Sequence, residues 1–378
     1  MKKKILRIIN SLNPKYGGPA VAIIDSSVEL INNGHEVDIL TNDPENSNFH
    51  KIKKIKVINL GSGIGNYSFN YKLFLWLIKN KNKYDNFIIH GIWEFHTLIA
   101  RILLKKKYFV FIHGQLDPFF EKQFFKKIKK KIYWFLFEKK NLIFSKSILL
   151  TTQEEKRLLN KTYVNTDKIK KKVIGYGIKK KILNIKKLKS DFLKNYPLLK
   201  KKFFFLYLGR FHEKKGCDIL IESIDQLSKK NINVNLLMVG PDNDYKNYLK
   251  KIVKKKRLHK QIIWSKALSG NLKWGAILSS RAMVLASHGE NFGVSIAESL
   301  SCSKPVIITN KVNIYKSIKN FNAGIVSKNN SSSFEKSISS FLKMNSFELK
   351  KMSINANKCF NQNFNISVNI KILEKLLT

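Results

Sequence analysis

The sequence predicts an α/β protein built as two doubly wound, Rossmann-like domains in tandem. A chain of 378 residues with 44% apolar content is long enough to bury two cores and is more natural as two domains than as one. Short apolar, β-branched runs alternate with longer segments of helical period, which is the signature of parallel α/β architecture. The alternation halts in a lysine-rich stretch and then starts afresh. These observations place an N-terminal domain at 1–180, a linker at 181–201, a C-terminal domain at 202–360, and a helical tail at 361–378 available to pack back on the N-terminal domain.

The opening "MKKKILRIINSL" has the basic start of a signal peptide, but Arg7 and Asn10 break its apolar run and no small-residue cleavage site follows. A first strand is therefore expected there. Further strands are expected at "HEVDILTN", "IKVINLG", "NFIIHGI", "YFVFIHG", "SILLTT" and "KVIGYGI", with helices near 19–33, 70–80, 95–106, 119–140 and 153–160. The text from 180 to 201, interrupted by Pro197, reads as a connector that has room for a short helix. Beyond it, strands "FFFLYLGR", "VNLLMVGP", "QIIWSKA", "AMVLASH" and "KPVIITN" are separated by helical stretches near 216–229, 244–257, 271–280 and 294–302. In sheets of this kind ligands bind beyond the carboxyl ends of the strands, so the loops there hold the candidates.

A net charge of +45 points first to a phosphate-rich partner, nucleic acid or an anionic membrane. Composition weakens that inference. Arginine occurs only at 7, 101, 157, 210, 257 and 281, and the remaining basic residues are lysines scattered among many Asn and Ile, a skew that coding bias alone produces. Cys217, Cys302 and Cys359 are far apart and lack zinc spacing, which fits free thiols in a reducing compartment.

The chemistry concentrates in a few strand-end loops. Arg210 closes the strand "FFFLYLG", and Lys215 and Gly216 precede the next helix. A guanidinium, an ammonium and helix N-terminal N–H groups converging there suit one anion, with diphosphate the natural candidate. The alternative is a basic loop with a glycine turn. Gly17 and Gly18, between the first strand and first helix, allow backbone N–H groups to approach a phosphate, or simply form a turn between Pro14 and Pro19. His90 and His113 each end an apolar run before a glycine, so both are candidates to face the ligand, His113 more so, with Trp93 and His96 lining the same region; the alternative is a satisfied core histidine. In "SHGENFGVSIAESL", Glu290 lies in a loop and Glu298 about a turn and a half into the following helix, while Asn291, Phe292 and Gly293 offer backbone amides. Ionised carboxylates suit sugar hydroxyls, because each accepts two hydrogen bonds from a vicinal diol. A glycosidase-like acid and nucleophile pair is the competing reading, although a hydrolase has no need of the phosphate cradle.

Taken together, "YGGPA", "NNGHEVDILT", "GRFHEKKG" and the E-x7-E element "ENFGVSIAE" followed by "SLSCSKPVIITN" resemble the retaining glycosyltransferases of family 4, also called group 1. "HGIWEFH", "HGQLDP", "GYGI" and "KVNIYKSI" resemble members associated with bacterial surface polysaccharides. The resemblance implies a GT-B fold, two Rossmann-like domains facing a central crevice, and a nucleotide-sugar donor. It implies that Arg210 and Lys215 bind the diphosphate, Glu298 the ribose and Glu290 the transferred sugar. It further implies amide contacts from Asn291, Phe292 and Gly293, approach of Gly17 and Gly18 to the phosphates, and contact of His113 with the donor sugar. No cofactor and no metal are expected, since no DxD-like element stands in the expected place. Where broader members read P-N-G, this chain has Gly175, Tyr176 and Gly177, an expected difference in interdomain contact only.

The expected reaction is transfer of a sugar, with retention, to a glycan or lipid-linked acceptor in envelope polysaccharide or lipopolysaccharide biosynthesis. The expected location is the cytoplasm, with a peripheral place on the inner face of the cell membrane left open. The segment 119–137 mixes aromatics with lysines like an interfacial helix, or like a core helix with a lysine-rich outer face. No nucleic-acid module is present, so nucleic acid is not expected as a partner. The alternative class is a non-catalytic basic binding protein with the same fold.

Overall fold

The computed structural model of the protein describes residues 2–377 apart from 14–17, 48, 50–53, 118–123, 163–165, 182–183 and 201. The chain forms two units, Met1–Lys179 with Ile366–Thr378, and Lys180–Asn365.

The first unit is built on seven strands: β1 (Lys4–Ile9), β2 (Glu36–Thr41), β3 (Lys56–Asn59), β4 (Asn86–His90), β5 (Tyr108–Phe111), β6 (Ser147–Leu150) and β7 (Lys171–Val173). They lie in the order β3-β2-β1-β4-β5-β6-β7, and every neighbouring pair is parallel. The central strands β4, β5 and β6 are buried throughout, as their near-continuous apolar sequences require when helices cover both faces. Successive residues of β2 point to opposite sides: Ile39 packs with Ile9, Ala20 and Ile23, and Leu40 with Ile8 and Leu73.

The second unit repeats the plan with β8 (Phe204–Leu208), β9 (Asn235–Val239), β10 (Ile262–Ser265), β11 (Ala282–Leu285), β12 (Val306–Thr309) and β13 (Gly324–Ser327). Their order is β10-β9-β8-β11-β12-β13, again parallel. Strand β13 escapes the sequence reading because it is four residues long and begins at a glycine. That glycine is required: a Cβ on Gly324 would lie 2.0 Å from the Val306 carbonyl oxygen.

The stretch 181–201 is not a free connector. Its Ile185–Asn195 forms an amphipathic helix that buries Leu188 and Phe192. It packs on the helix Gly270–Ser279, where Gly275 leaves room for the Leu188 carbonyl; a Cβ there would come within 2.4 Å of it. Lysine density concealed the pattern, because Lys186, Lys187 and Lys194 occupy the outer face of a helix whose buried face is only two side chains wide. Past β13, helices Ser331–Lys343 and Ser346–Asn363 extend the second unit to Asn365. The last helix, Ile366–Leu377, belongs to the first unit and buries Ile366, Ile370, Leu373 and Leu377 on one face. Asn86 Nδ2 donates to the Leu377 carbonyl at 2.8 Å. This helix also explains "GYGI": a Cβ on Gly175 would meet Asn369 Nδ2 at 2.2 Å, and one on Gly177 the Ile366 Cα at 2.6 Å. Those glycines make room for the tail.

Candidate active site

In the second unit, backbone hydrogen bonds join two sequence-distant motifs. After β8, Gly209 leads to Arg210, whose carbonyl accepts from Tyr207 Oη at 2.7 Å while its side chain is exposed. A 3-10 turn, Glu213–Lys215, follows and ends at Gly216 with φ of 62°. No other residue fits at 216, since a Cβ would lie 2.0 Å from the Ala286 carbonyl oxygen. That close approach carries the loop after β8 onto the loop after β11. There Ser287 Oγ and the His288 N–H both donate to the Lys214 carbonyl, at 2.7 and 2.8 Å.

The stitched loops put Lys215 Nζ on Glu290 Oε2 as a hydrogen-bonded ion pair. Glu290 is fixed from behind: its N–H donates to the Lys311 carbonyl and its carbonyl accepts from the Asn313 N–H, both at 2.9 Å. Burial pushes the Glu290 carboxyl up, but the Lys215 charge and hydrogen bond, the Lys214 charge and the Gly293 N–H outweigh it and hold it below the ordinary range. The Gly293 amide, expected to meet the ligand, is thus already turned on Glu290. Gly293 has φ of 77° and begins the helix Val294–Ser301. Phe292 anchors the turn by burying its ring edge-on against Phe364, 5.5 Å away. Asn291 Oδ1 accepts from Asn313 Nδ2 at 3.5 Å.

Glu298, inside that helix, accepts from Lys273 Nζ at 2.6 Å, and the same ammonium lies 4.8 Å from the Trp274 ring centre. Both acids of the E-x7-E element are therefore held by lysines. Lys273 and Lys214 were missed from sequence, as nothing distinguishes them among so many lysines.

The first unit places its candidates in a buried chain. Arg7, in β1, is 3% exposed and donates through Nη1 to the Ile23 carbonyl, Ser26 Oγ and Ser27 Oγ, at 3.1, 2.6 and 3.0 Å. Its Nε donates to His90 Nε2 at 3.1 Å. His90 Nδ1 meets His113 Nε2 at 3.0 Å, and His113 Nδ1 meets the Tyr176 hydroxyl. A guanidinium can only donate, so His90 accepts at Nε2 and, as a neutral ring, carries its proton on Nδ1. His113 then accepts at Nε2 and carries its own proton on Nδ1, pointing at Tyr176. Burial, reinforced by the Arg7 charge, pushes His113 down to about 3 and His90 well below its ordinary value. Burial also lowers Arg7, to about 9, so at neutral pH it keeps its charge and both imidazoles are neutral.

The neighbouring loops are tied as firmly. His113 has φ of 49° and Gly114 of 76°. The Gly114 N–H donates to Glu155 Oε1 at 2.7 Å, and the Ile92 N–H to Gln115 Oε1 at 2.7 Å. Both ring nitrogens of His113 are engaged inside the unit, so the contact with a donor sugar that the resemblance implies would require one of these bonds to yield. Tyr176, which the sequence reading connected only with interdomain contact, bonds to the candidate His113 within the first unit. His96 Nδ1 lies 3.3 Å from Glu94 Oε2, and burial lowers His96 to about 4. Gly18 begins the helix Gly18–Asn32 directly after β1's loop, and Gly17 lies outside the described residues.

Comparison with known proteins follows the same division of the chain. The family model "Glycosyltransferase Family 4" matches residues 16–181, and "Glycosyl transferases group 1" matches residues 189–359. The chain is 29% identical over 162 residues to the uncharacterized glycosyltransferase MJ1178 of Methanocaldococcus jannaschii, 43% of this chain and 44% of that one. It is 25% identical over 139 residues to the serotype-specific mannosyltransferase WbdA of Escherichia coli, 36% of this chain and 17% of that one. The chain thus spans less than half the length of these curated relatives. The solved structure of WaaG, a glycosyltransferase involved in lipopolysaccharide biosynthesis, superposes with a TM-score of 0.72 at 15% identity, covering 98% of this chain and 99% of that one. The fold is GT-B, two consecutive parallel α/β units of seven and six strands.

Proposed function

Since the chain belongs to the group 1, or family 4, glycosyltransferases, we propose that it is a retaining, metal-independent hexosyltransferase. It moves a sugar from a nucleotide-sugar donor to a glycan or lipid-linked acceptor in envelope polysaccharide or lipopolysaccharide biosynthesis. The observation that carries the reading is the joining of the two loops through the Lys214 carbonyl, which sets Lys215, of the same loop that carries the exposed Arg210, on Glu290. Such a pairing suits a site whose ammonium is released to an incoming phosphate and whose carboxylate is then free for a sugar hydroxyl.

In this reading the bond between the anomeric carbon and the diphosphate oxygen breaks with its electron pair leaving on the diphosphate. The acceptor oxygen forms its bond on the same face, and its proton passes to the departing phosphate oxygen. Arg210 and Lys215 stabilise the charge that develops there. Glu298, oriented by Lys273, takes the ribose hydroxyls, and Glu290 the transferred sugar. For His113 the family resemblance suggests contact with the donor sugar, for which one of its two hydrogen bonds, to His90 or to Tyr176, would yield.

The test is a panel of UDP-, GDP- and ADP-sugars, read by binding and by slow donor hydrolysis, followed by the anomeric configuration of the product and activity after EDTA treatment. Binding of one donor, a retained anomer and EDTA-resistant turnover are expected. A protein that neither binds nor hydrolyses any of them is not this enzyme.

We place the protein in the cytoplasm, with peripheral contact to an anionic membrane through the helical stretch Phe124–Ile143. Ile128, Ile132, Phe135 and Leu136 recur there at helical spacing and are exposed, while Trp134 and Glu138 face the core. Beside it a cleft of about 480 Å³ is lined by Arg101, Lys105, Lys106, Lys140 and Phe144. Among the described residues no helix is long and apolar enough to cross a membrane. Flotation with phosphatidylglycerol vesicles, lost in Ile132→Ser/Phe135→Ser, is the expected result; sedimentation away from such vesicles would remove this placement.

A further inference from the structure

The second unit carries another cationic cleft at the opposite end of its sheet from Arg210 and Glu290. It opens where the chain enters β8, β11 and β12, so it lies at their amino ends. Its volume is about 340 Å³, and its charged lining consists of Arg281, Lys304 and Lys350, with no acid among the lining residues. The nearby Glu348 is committed elsewhere, accepting from the Asn345 N–H in a helix capping box.

Three features separate this cleft from an ordinary lysine-covered face. Arg281 is one of the few arginines in a chain that otherwise uses lysine, and its side chain pairs with no described residue. Lys304 sits with its Nζ on the Ser280 carbonyl at 2.8 Å, where burial, followed by the charges of Lys189 and Arg281, pushes it down to about 8. A bound anion reverses that penalty. Ser279 Oγ is buried with no hydrogen-bond partner, and Ser303 and Ser353 add hydroxyls to the wall. A forked guanidinium, two ammoniums and spare hydroxyl donors are the donor set that phosphate oxygens take up.

We propose that this cleft is a second, non-donor site for a phosphate group, with Arg281, Lys304 and Lys350 as its cationic ligands. The phosphate belongs either to a soluble phosphorylated molecule or to the headgroup of an anionic lipid, and exposed Phe203 at the rim is compatible with both. The site stands independently of the donor assignment, because it uses none of the donor residues.

Calorimetric titration with inorganic phosphate is done on Arg210→Ala, so that the donor loop does not register, and repeated after adding Arg281→Gln and Lys350→Gln. Both of these side chains are exposed and make no bond to a described residue, so their loss leaves the fold intact. Expected is one saturable site that weakens at least about ten-fold in the combined variant. Hydrogen exchange on the unsubstituted protein localises it independently: phosphate slows exchange in the first turns of Ser346–Asn363 and around Ser279–Ala282. Phosphatidylglycerol vesicles that compete with inorganic phosphate for the site in the Ile132→Ser/Phe135→Ser background, where the first unit's apolar helix no longer contributes, assign the phosphate to lipid, and phosphate binding without such competition assigns it to a soluble ligand. Absence of saturable binding, affinity unchanged by the substitutions, or protection confined to other segments overturns the proposal.

Discussion

At the ends of β4, β5 and β7 the first unit gathers neutral polar groups into a hydrogen-bonded chain, whereas the loops after β8 and β11 of the second unit gather charges and pair them. His90 and His113 are held neutral by burial. Burial acts on nearby carboxyls of the same unit in the same sense, against the charged form, raising Glu94 to about 7 and Glu138 to about 8. In the second unit Lys215 meets Glu290 and Lys273 meets Glu298. Neutral chains fix direction, because each tautomer dictates the next; ion pairs store charge that a ligand can redirect. The first unit is thus suited to orienting a substrate and the second to gripping and releasing an anion.

The sharpest way to break this contrast is to remove Arg210, a cation of the loop after β8 with an exposed side chain. Arg210→Ala is expected to lower kcat/KM by roughly a hundred- to a thousand-fold, about 3–4 kcal/mol, the usual loss when one stabilising donor to a developing oxyanion is deleted. Donor binding should weaken in parallel. Normal affinity would mean that the diphosphate lies elsewhere.

Next comes the Lys215 and Glu290 pair, whose side chains are 23% and 16% exposed. Lys215→Met leaves a largely buried carboxylate unpaired and should destabilise the second unit by about 2–3 kcal/mol, most of it regained in Lys215→Met/Glu290→Gln. The pH dependence carries a sign. With Lys215 present the Glu290 pKa lies below its unfolded value, so its contribution is present above about pH 4.3 and is lost as pH falls through the depressed value. Without Lys215, burial dominates and the pKa rises, so the contribution is instead lost as pH increases from about 4.3 upward. Urea melts between pH 4 and 7 distinguish the two slopes.

The relay of the first unit predicts a smaller loss. Tyr176→Phe keeps the ring but removes the acceptor for His113 Nδ1–H, costing about 1–2 kcal/mol of stability. Nitrogen NMR of the unsubstituted protein should show His113 protonated at Nδ1 only. Arg7→Met should free the order of donors and acceptors, giving both His90 tautomers. A single unchanged tautomer in that variant would show that Arg7 does not set the direction.

The two units also differ in how much of them the sequence exposes. Strands β4, β5 and β8 are legible because burial on both faces demands uninterrupted apolar runs, and Gly216 and Gly293 because both have a left-handed φ, with no space for a Cβ at 216. Arg210, Glu290 and Glu298 stand out as rare charges in a lysine-rich chain. Tyr176 and Arg7 do not, since a tyrosine between glycines and an arginine inside a strand gain meaning only when folding links them through His90 and His113. The helix Ile185–Asn195 is legible only as room for a short helix in a connector, because its outer face is lysine and its inner face is Leu188 and Phe192.

The smallest effect is expected at Lys273, and it tests whether charge pairing in the second unit is more than electrostatic comfort. Its side chain and that of Glu298 are 23% and 12% exposed, and Lys273 also rests on Trp274. Lys273→Met keeps the aliphatic stem on the ring while removing the ammonium. If Lys273 only balances charge, stability falls by about 1 kcal/mol or less and donor affinity is unchanged. If it orients Glu298 towards the ribose, the preference for a ribonucleotide over its 2′-deoxy counterpart should shrink by about three- to five-fold, while Arg210-dependent diphosphate binding stays intact. Competition of a nucleoside diphosphate against its 2′-deoxy form, in the unsubstituted protein and in Lys273→Met, separates the two, because only an orienting lysine couples to a hydroxyl it does not itself touch.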